Sequence, residues 1–211
     1  MLNNDQIHDV MNLLDHEFPN PEAPLTHTNA FELLVAVVLS AQCTDARVNQ
    51  VTPSLFPEFN TPQKMLTLSF EELRTKIHSC GYHNQKAKSI LAFSKEIIDR
   101  HNGEVPGTME ELSALSGVGR KSAGVVLCQW FKIPAFPVDT HVFRVANRLG
   151  LVQEKSRDKT NLALRERIPK NKWIDLHLQL IFHGRKSCKS QKPQCGQCPF
   201  KNICEFDGKT S

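Results

Sequence analysis

Lys121 stands directly behind a short glycine turn, Leu115-Ser-Gly117-Val118-Gly119-Arg-Lys121, between two helix-forming segments. A lysine in the first turn of a helix opposes the positive dipole end. That field, with any burial, favours the neutral amine. An ordinary lysine is neutral only about 0.04% of the time at pH 7. A shifted one is a nucleophile able to form a Schiff base with a carbonyl carbon. The same side chain would also serve simply as a phosphate partner. Gly117, Val118 and Gly119 let the backbone turn tightly, and the free N–H groups of the next helix suit a DNA phosphate. An ordinary turn between two helices uses the same residues. Asp139, in Val138-Asp139-Thr140-His141, follows eighteen residues after Lys121. It reads as an N-cap. A capping carboxylate is also rigid and ionised, fit to accept a proton or to stabilise positive charge on a sugar.

A second group is metal-directed. Cys188, Cys195, Cys198 and Cys204 are separated by six, two and five residues. Four thiolates suit zinc or a 4Fe–4S cluster equally well. Structural zinc sites more often carry two Cys-x-x-Cys knuckles, and here there is one. Either metal would fold so short a loop, holding Lys189 and Lys192 ready for a phosphate backbone. Cys43, Cys80 and Cys128 lie in apolar or mixed segments and read as small core residues.

Charge agrees with a polyanionic partner. Residues 165–211 hold ten Lys or Arg against four Asp or Glu, a net +6, whereas residues 1–164 carry a net −2. From Arg185 to Cys204 there are five basic residues and no acidic one. Such a face suits nucleic acid, or is a solvated surface that aids solubility. The longest apolar run, Leu33 to Leu39, is seven residues, far short of the roughly 20 needed to span a membrane. The first residues lack the basic and apolar regions of a secretory signal, so a cytoplasmic protein is expected. Disulfides are disfavoured there.

The elements that must position these groups are helical. Asn29 to Gln42 is apolar on nearly every face and predicts a buried helix. Ser69 to Glu72 is a capping box opening a helix through Ile77, and Thr108 to Glu111 is a second one. Ala87, Ile90, Leu91, Ile97 and Ile98 mark a helix that stops near Gly103. Further helices are expected from Arg120 to about Phe131, from Thr140 to Gly150, and from Trp173 to His183, with Gly184 as the last stop. The fold class is therefore all-α, without repeats, and the Pro134–Pro137 stretch is the internal boundary.

Together these residues resemble the endonuclease III family of DNA base-excision repair glycosylases. The resemblance runs from Phe31 to Cys204. It rests on Leu-Leu-Val-Ala-Val-Val-Leu-Ser-Ala-Gln42 with Thr44-Asp45, the hairpin with Lys121, Val-Asp139-Thr-His141 and the cysteine spacing. It implies a two-lobed all-α fold. A six-helix barrel covers 23–134, with a helix-hairpin-helix at about 112–131. An iron–sulfur domain covers 1–22 and 135–211, with its cluster loop at 188–204. It implies a 4Fe–4S cluster rather than zinc, held by the four cysteines.

The partner it implies is double-stranded DNA with a damaged base or an abasic site, bound by a monomer. The activity it implies is removal of oxidised pyrimidines and strand nicking 3′ to the site. Lys121 attacks C1′, Asp139 assists, and Gln42 enters the gap left by the flipped base, because C1′ is inaccessible in stacked duplex. Asp45 and His141 join the DNA-binding set with the motifs that carry them. Where the family commonly has an aliphatic wedge, this chain has Tyr82 and then His83, so Tyr82 would intercalate by stacking. The same chemistry on oxidised guanine or a pyrimidine dimer is an alternative. So is a non-catalytic iron–sulfur DNA-binding protein, although binding alone needs neither Lys121 nor Asp139.

Overall fold

The computed structural model describes residues 1–210, and every regular element among them is helical. The α-helices are α1 Asn4–Glu17, α2 Ala30–Leu39, α3 Asp45–Val51, α4 Pro62–Met65, α5 Phe70–Lys76, α6 His83–His101, α7 Met109–Ala114, α8 Arg120–Val126, α9 Thr140–Leu149, α10 Arg157–Arg167 and α11 Trp173–Lys186. The chain forms two compact units. The middle unit is Ala23–Ile133, and the terminal unit joins Met1–Glu22 to the stretch from Pro134 onward.

The middle unit is organised on α2, in which every residue from Phe31 to Leu39 is buried. A helix apolar all round needs neighbours on every side. It packs against α6 and α8, and α6 also packs α4 and α5. Ile90, Phe93 and Ile97 of α6 complete the core with Leu33, Leu34 and Leu39. Truncating one of these buried leucines to alanine costs about 2–5 kcal/mol.

In the terminal unit α9 packs along α11, and α1 lies against α11. Val142, Val145 and Leu149 of α9 meet Leu176, Leu180 and Trp173 of α11, with Phe136 and Phe200 closing the cluster.

Several boundaries differ from the sequence reading. The buried helix stops at Leu39, not Gln42. Lys86 Nζ captures the Leu39 carbonyl at 2.7 Å, and Gln42 turns left-handed at φ +54°. The Ser69 box forms in full, whereas the Thr108 box forms by half. Thr108 caps Glu111 N, but the returning contact runs from the Thr108 hydroxyl to Glu111 instead of from the backbone. The helix from Arg120 changes to a π turn over Leu127–Phe131. Gly184 does not stop α11, which continues to Lys186. A Cβ there would lie 3.1 Å from His141, Arg144 and Val145, so the glycine lets α9 and α11 approach. Helix α10 was not foreseen, since only Thr160 and Leu164 of its eleven residues are buried.

Candidate functional site

In the middle unit α2, α3, α4, α5 and α7 each carry a side-chain N-cap, and α6 and α8 do not. These two uncapped starts hold Tyr82 and the Gly119–Lys121 turn. Their first N–H groups lack the usual side-chain acceptor.

The hairpin is braced from α6. Glu96 accepts from Ser116 N at 2.8 Å and from the Ser116 hydroxyl at 2.6 Å. Val118 N donates to Leu115 O at 3.0 Å. The two glycines differ. Gly117 has φ +76°, and a Cβ on it would lie 2.6 Å from Ser89 Cβ. Gly119 has ordinary backbone angles, and nothing within 4 Å would meet a Cβ there. Glycine at 117 is therefore dictated from inside the fold. At 119 the space is left open to whatever approaches from outside.

Gly117→Ala should destabilise the protein by about 2 kcal/mol or more, from left-handed strain plus the clash. Gly119→Ala should change stability by about 1 kcal/mol or less while weakening DNA binding. Urea melts beside equilibrium binding check both. An equal stability loss at the two positions would refute the distinction.

The Val118 side chain belongs to the core at 4% exposure, so only its backbone can reach DNA. Lys121 is exposed in the first turn of α8.

Gln42 and Tyr82 share an unusual geometry. Both are exposed and both are left-handed, at φ +54° and +46°. Non-glycine residues pay about 1–2 kcal/mol for that conformation, and such strain clusters at functional positions. Tyr82 is 65% exposed, the most exposed aromatic side chain among the large hydrophobics. Asp45 opens α3 after the Thr44 cap.

In the terminal unit Asp139 caps α9. Oδ1 accepts from His141 N and Val142 N, both at 2.8 Å. Both cap bonds end on one oxygen, so Oδ2 takes no part in the cap. His141 is half-buried, and that burial pushes its imidazole below the usual histidine range against the opposing pull of Asp139. It meets a partner as a neutral ring, by hydrogen bonding rather than by charge.

Two residues the sequence reading missed, Arg144 and Arg148, hold the cysteine loop. They lie one turn apart on α9, and that i, i+4 spacing beside Asp139 was the available signal. Arg144 donates to Cys188 O at 3.0 Å and to Gly184 O at 2.9 Å. Arg148 donates to Lys189 O at 2.6 Å and Ser190 O at 3.0 Å, and it lies 3.7 Å from Cys188 Sγ. Lys189 and Lys192 are exposed on this tethered loop, Lys192 at φ +48°. Replacing both with alanine should weaken binding to any DNA sequence and lower the salt slope by roughly one per lost phosphate contact. An unchanged slope would make them merely solvated.

Cys188, Cys195, Cys198 and Cys204 line one recess with Arg148, His183 and Phe206. Among the described residues no three ligand-type side chains close on a point that would hold a single ion. Burial pushes the Cys198 and Cys204 thiols upward, so they release their protons when a metal replaces them. Four soft donors around one space fit an iron–sulfur cluster.

Known proteins place the chain. The HhH-GPD superfamily base excision DNA repair protein model matches residues 35–170, and the iron–sulfur binding domain of endonuclease III matches 188–204. Endonuclease III of Bacillus subtilis is 46% identical, covering 97% of this chain and 94% of that protein. Endonuclease III of Escherichia coli K12 is 41% identical, with 95% of each chain covered. A non-covalent endonuclease III–DNA complex superposes with TM-score 0.93 at 45% identity over 97% of this chain and 96% of that one. A trapped endonuclease III–DNA covalent intermediate gives 0.92 at the same identity and coverage. The chain therefore belongs to the endonuclease III family, within the HhH-GPD superfamily of base excision DNA repair proteins, and its cofactor is a 4Fe–4S cluster.

Proposed function

We propose that this DNA glycosylase and abasic-site lyase removes oxidised pyrimidines from duplex DNA and nicks the strand 3′ to the site, with Lys121 as nucleophile. The observation that carries the reading is Lys121 itself. It is exposed at an uncapped helix start behind a hairpin whose second glycine leaves space for an approaching backbone.

Lys121 Nζ attacks C1′ of the flipped nucleotide. The C–N bond to the base breaks, and the base leaves with the electron pair and a proton. The sugar ring opens to a protonated Schiff base, which acidifies the C2′ hydrogen. Loss of that proton expels the 3′ phosphate. Asp139, held in place by its cap, takes the proton from the attacking amine and stabilises positive charge on the sugar through Oδ2. Gln42 fills the gap in the duplex and Tyr82 stacks between base pairs. Asp45, His141 and the backbone of Gly117, Val118 and Gly119 contact the DNA, with Lys189 and Lys192 on the phosphates.

Cys188, Cys195, Cys198 and Cys204 would hold the cluster. When bound, it cross-links the loop and fixes the two lysines in place. The enzyme acts as a cytoplasmic monomer; among the described residues no helix is long and apolar enough to cross a membrane.

A panel of duplexes, each with one defined lesion, tests the substrate, with borohydride added to trap the imine. Trapping and nicking should be strongest on oxidised pyrimidines such as thymine glycol. Preference for oxidised guanine or for a pyrimidine dimer would overturn the lesion assignment and leave the chemistry. No covalent product on any duplex, abasic included, would overturn the chemistry.

A further inference from the structure

Behind Gln42 and Tyr82 lies a pair of cysteines that the glycosylase chemistry does not use. Cys43 follows Gln42, and Cys80 stands two residues before Tyr82. The Cys43 and Cys80 thiols lie close enough to interact, and the turn His78–Cys80 packs against α3, which begins two residues after Cys43. Lys86 ties the same two turns. It is only 5% exposed, and its Nζ donates to Leu39 O at 2.7 Å and to Cys80 O at 2.9 Å. Burial disfavours the charge on its amine, and the two neighbouring sulfurs pull the other way.

The pair is unequal. Cys43 is half-buried and reachable, whereas Cys80 is 2% exposed. Burial pushes the Cys80 thiol up to about 11. An accessible attacking thiol with a sheltered partner is the arrangement of a reversible dithiol switch. The four cysteines of the cluster loop belong to the other unit.

We propose that Cys43 and Cys80 form a reversible disulfide that sets the position of the two DNA-entering residues. The oxidant is a low-molecular-weight disulfide such as oxidised glutathione. Cys43 thiolate attacks one glutathione sulfur, a mixed disulfide forms, and the first glutathione thiolate leaves. Cys80, deprotonated, attacks the Cys43 sulfur and the second glutathione leaves. Two protein thiols are oxidised by two electrons and one glutathione disulfide is reduced to two glutathiones. Covalent closure replaces a thiol contact by a bond of about 2.05 Å, drawing together the turns that carry Gln42 and Tyr82. The functional half of the inference rests on the reading that these two residues enter DNA.

The test uses the cluster-loaded, full-length protein. Oxidised glutathione is added, free thiols are blocked, and the digest is mapped by mass spectrometry while iron content is measured. A Cys43–Cys80 cross-linked peptide with iron unchanged is expected. Nicking should fall by about ten- to a hundredfold, the effect of misplacing positioning groups by about 1 Å, and dithiothreitol should restore it. Cys43→Ala and Cys80→Ala, each nicking normally when reduced, should lose the response. Failure to form the cross-link, a cross-link with unchanged nicking, or an equal loss in either variant would overturn the proposal. Reduced Tyr82→Ala and Gln42→Ala separate the two readings: if both nick normally, the DNA-entry reading fails, whereas the cross-link map stands or falls independently.

Discussion

Lys121→Gln should abolish borohydride trapping and strand nicking together. Glutamine keeps a similar length and a polar tip, but its amide nitrogen is not nucleophilic and cannot form an imine. The fold should be untouched, because Lys121 is exposed and makes no core contact. The hairpin should persist too, since its brace is Ser116 on Glu96 and its shape is set by Gly117 against Ser89. Binding to an abasic duplex is therefore expected to survive, and with it a clean separation of binding from chemistry. Gel shift beside trapping on the same duplex makes the measurement. Covalent capture by the glutamine variant would assign the nucleophile to another amine.

Asp139→Asn should cut base removal by about 10²–10⁴-fold, the usual worth of a positioned acid–base group, with DNA affinity held or raised. The geometry makes this substitution informative. Asparagine retains Oδ1 and with it both cap bonds to His141 N and Val142 N; only the charge and Oδ2 are exchanged. Asp139→Ala, by contrast, should also lose the cap, about 1 kcal/mol of stability. Single-turnover rates with thermal melts distinguish the two losses. Equal melting and equal rates for asparagine and wild type would reduce Asp139 to a helix cap. Arg144 offers a second route, since its guanidinium feels the Asp139 charge while donating to Cys188 O. Iron content of the variant reports on that route.

Local rules read well where they alone decide. Ser69 with Glu72 specified a complete capping box, and Asp139 its cap, because both depend on contacts within three residues. Family membership was legible for a different reason: it depends on residue types at fixed spacing, and the choice of iron–sulfur over zinc came with the family resemblance, since the cysteine spacing alone suits either metal. Where distant chain decides, the sequence misled. Gly184 looks like a helix stop, but it is a packing glycine against α9, as only tertiary structure reveals. Helix α10 has too little apolar surface for a periodicity signal, and its local marks were its Ser156 cap, Asp158 in the first turn and Arg165 and Arg167 in the last. Arg144 and Arg148 read as ordinary surface cations on α9; their role exists only once the cysteine loop is beside them. Left-handed geometry at Gln42 and Tyr82 has no sequence signature, since neither residue favours it.

The chain enters the terminal unit, leaves it at Glu22, and returns at Pro134. Leu2 N pairs with Gly150 O, Arg167 donates to Leu2 O, and Lys172 and Gln179 meet Asp15. During synthesis the ribosome therefore releases α1 long before its partners exist, while the middle unit is a continuous stretch that can close as soon as Ile133 emerges. Amphipathic α1, with Ile7, Val10 and Leu14 unburied, must wait for more than a hundred further residues. Long-range closure of this kind is slow and exposes apolar surface. The cysteine loop follows every helix of its unit in the chain, so iron loading comes after those helices have been made. A shortage of cluster supply would then strand a protein whose helices are made but whose loop, with Phe200, is not fastened to them, a substrate for chaperones or proteases rather than a dormant enzyme.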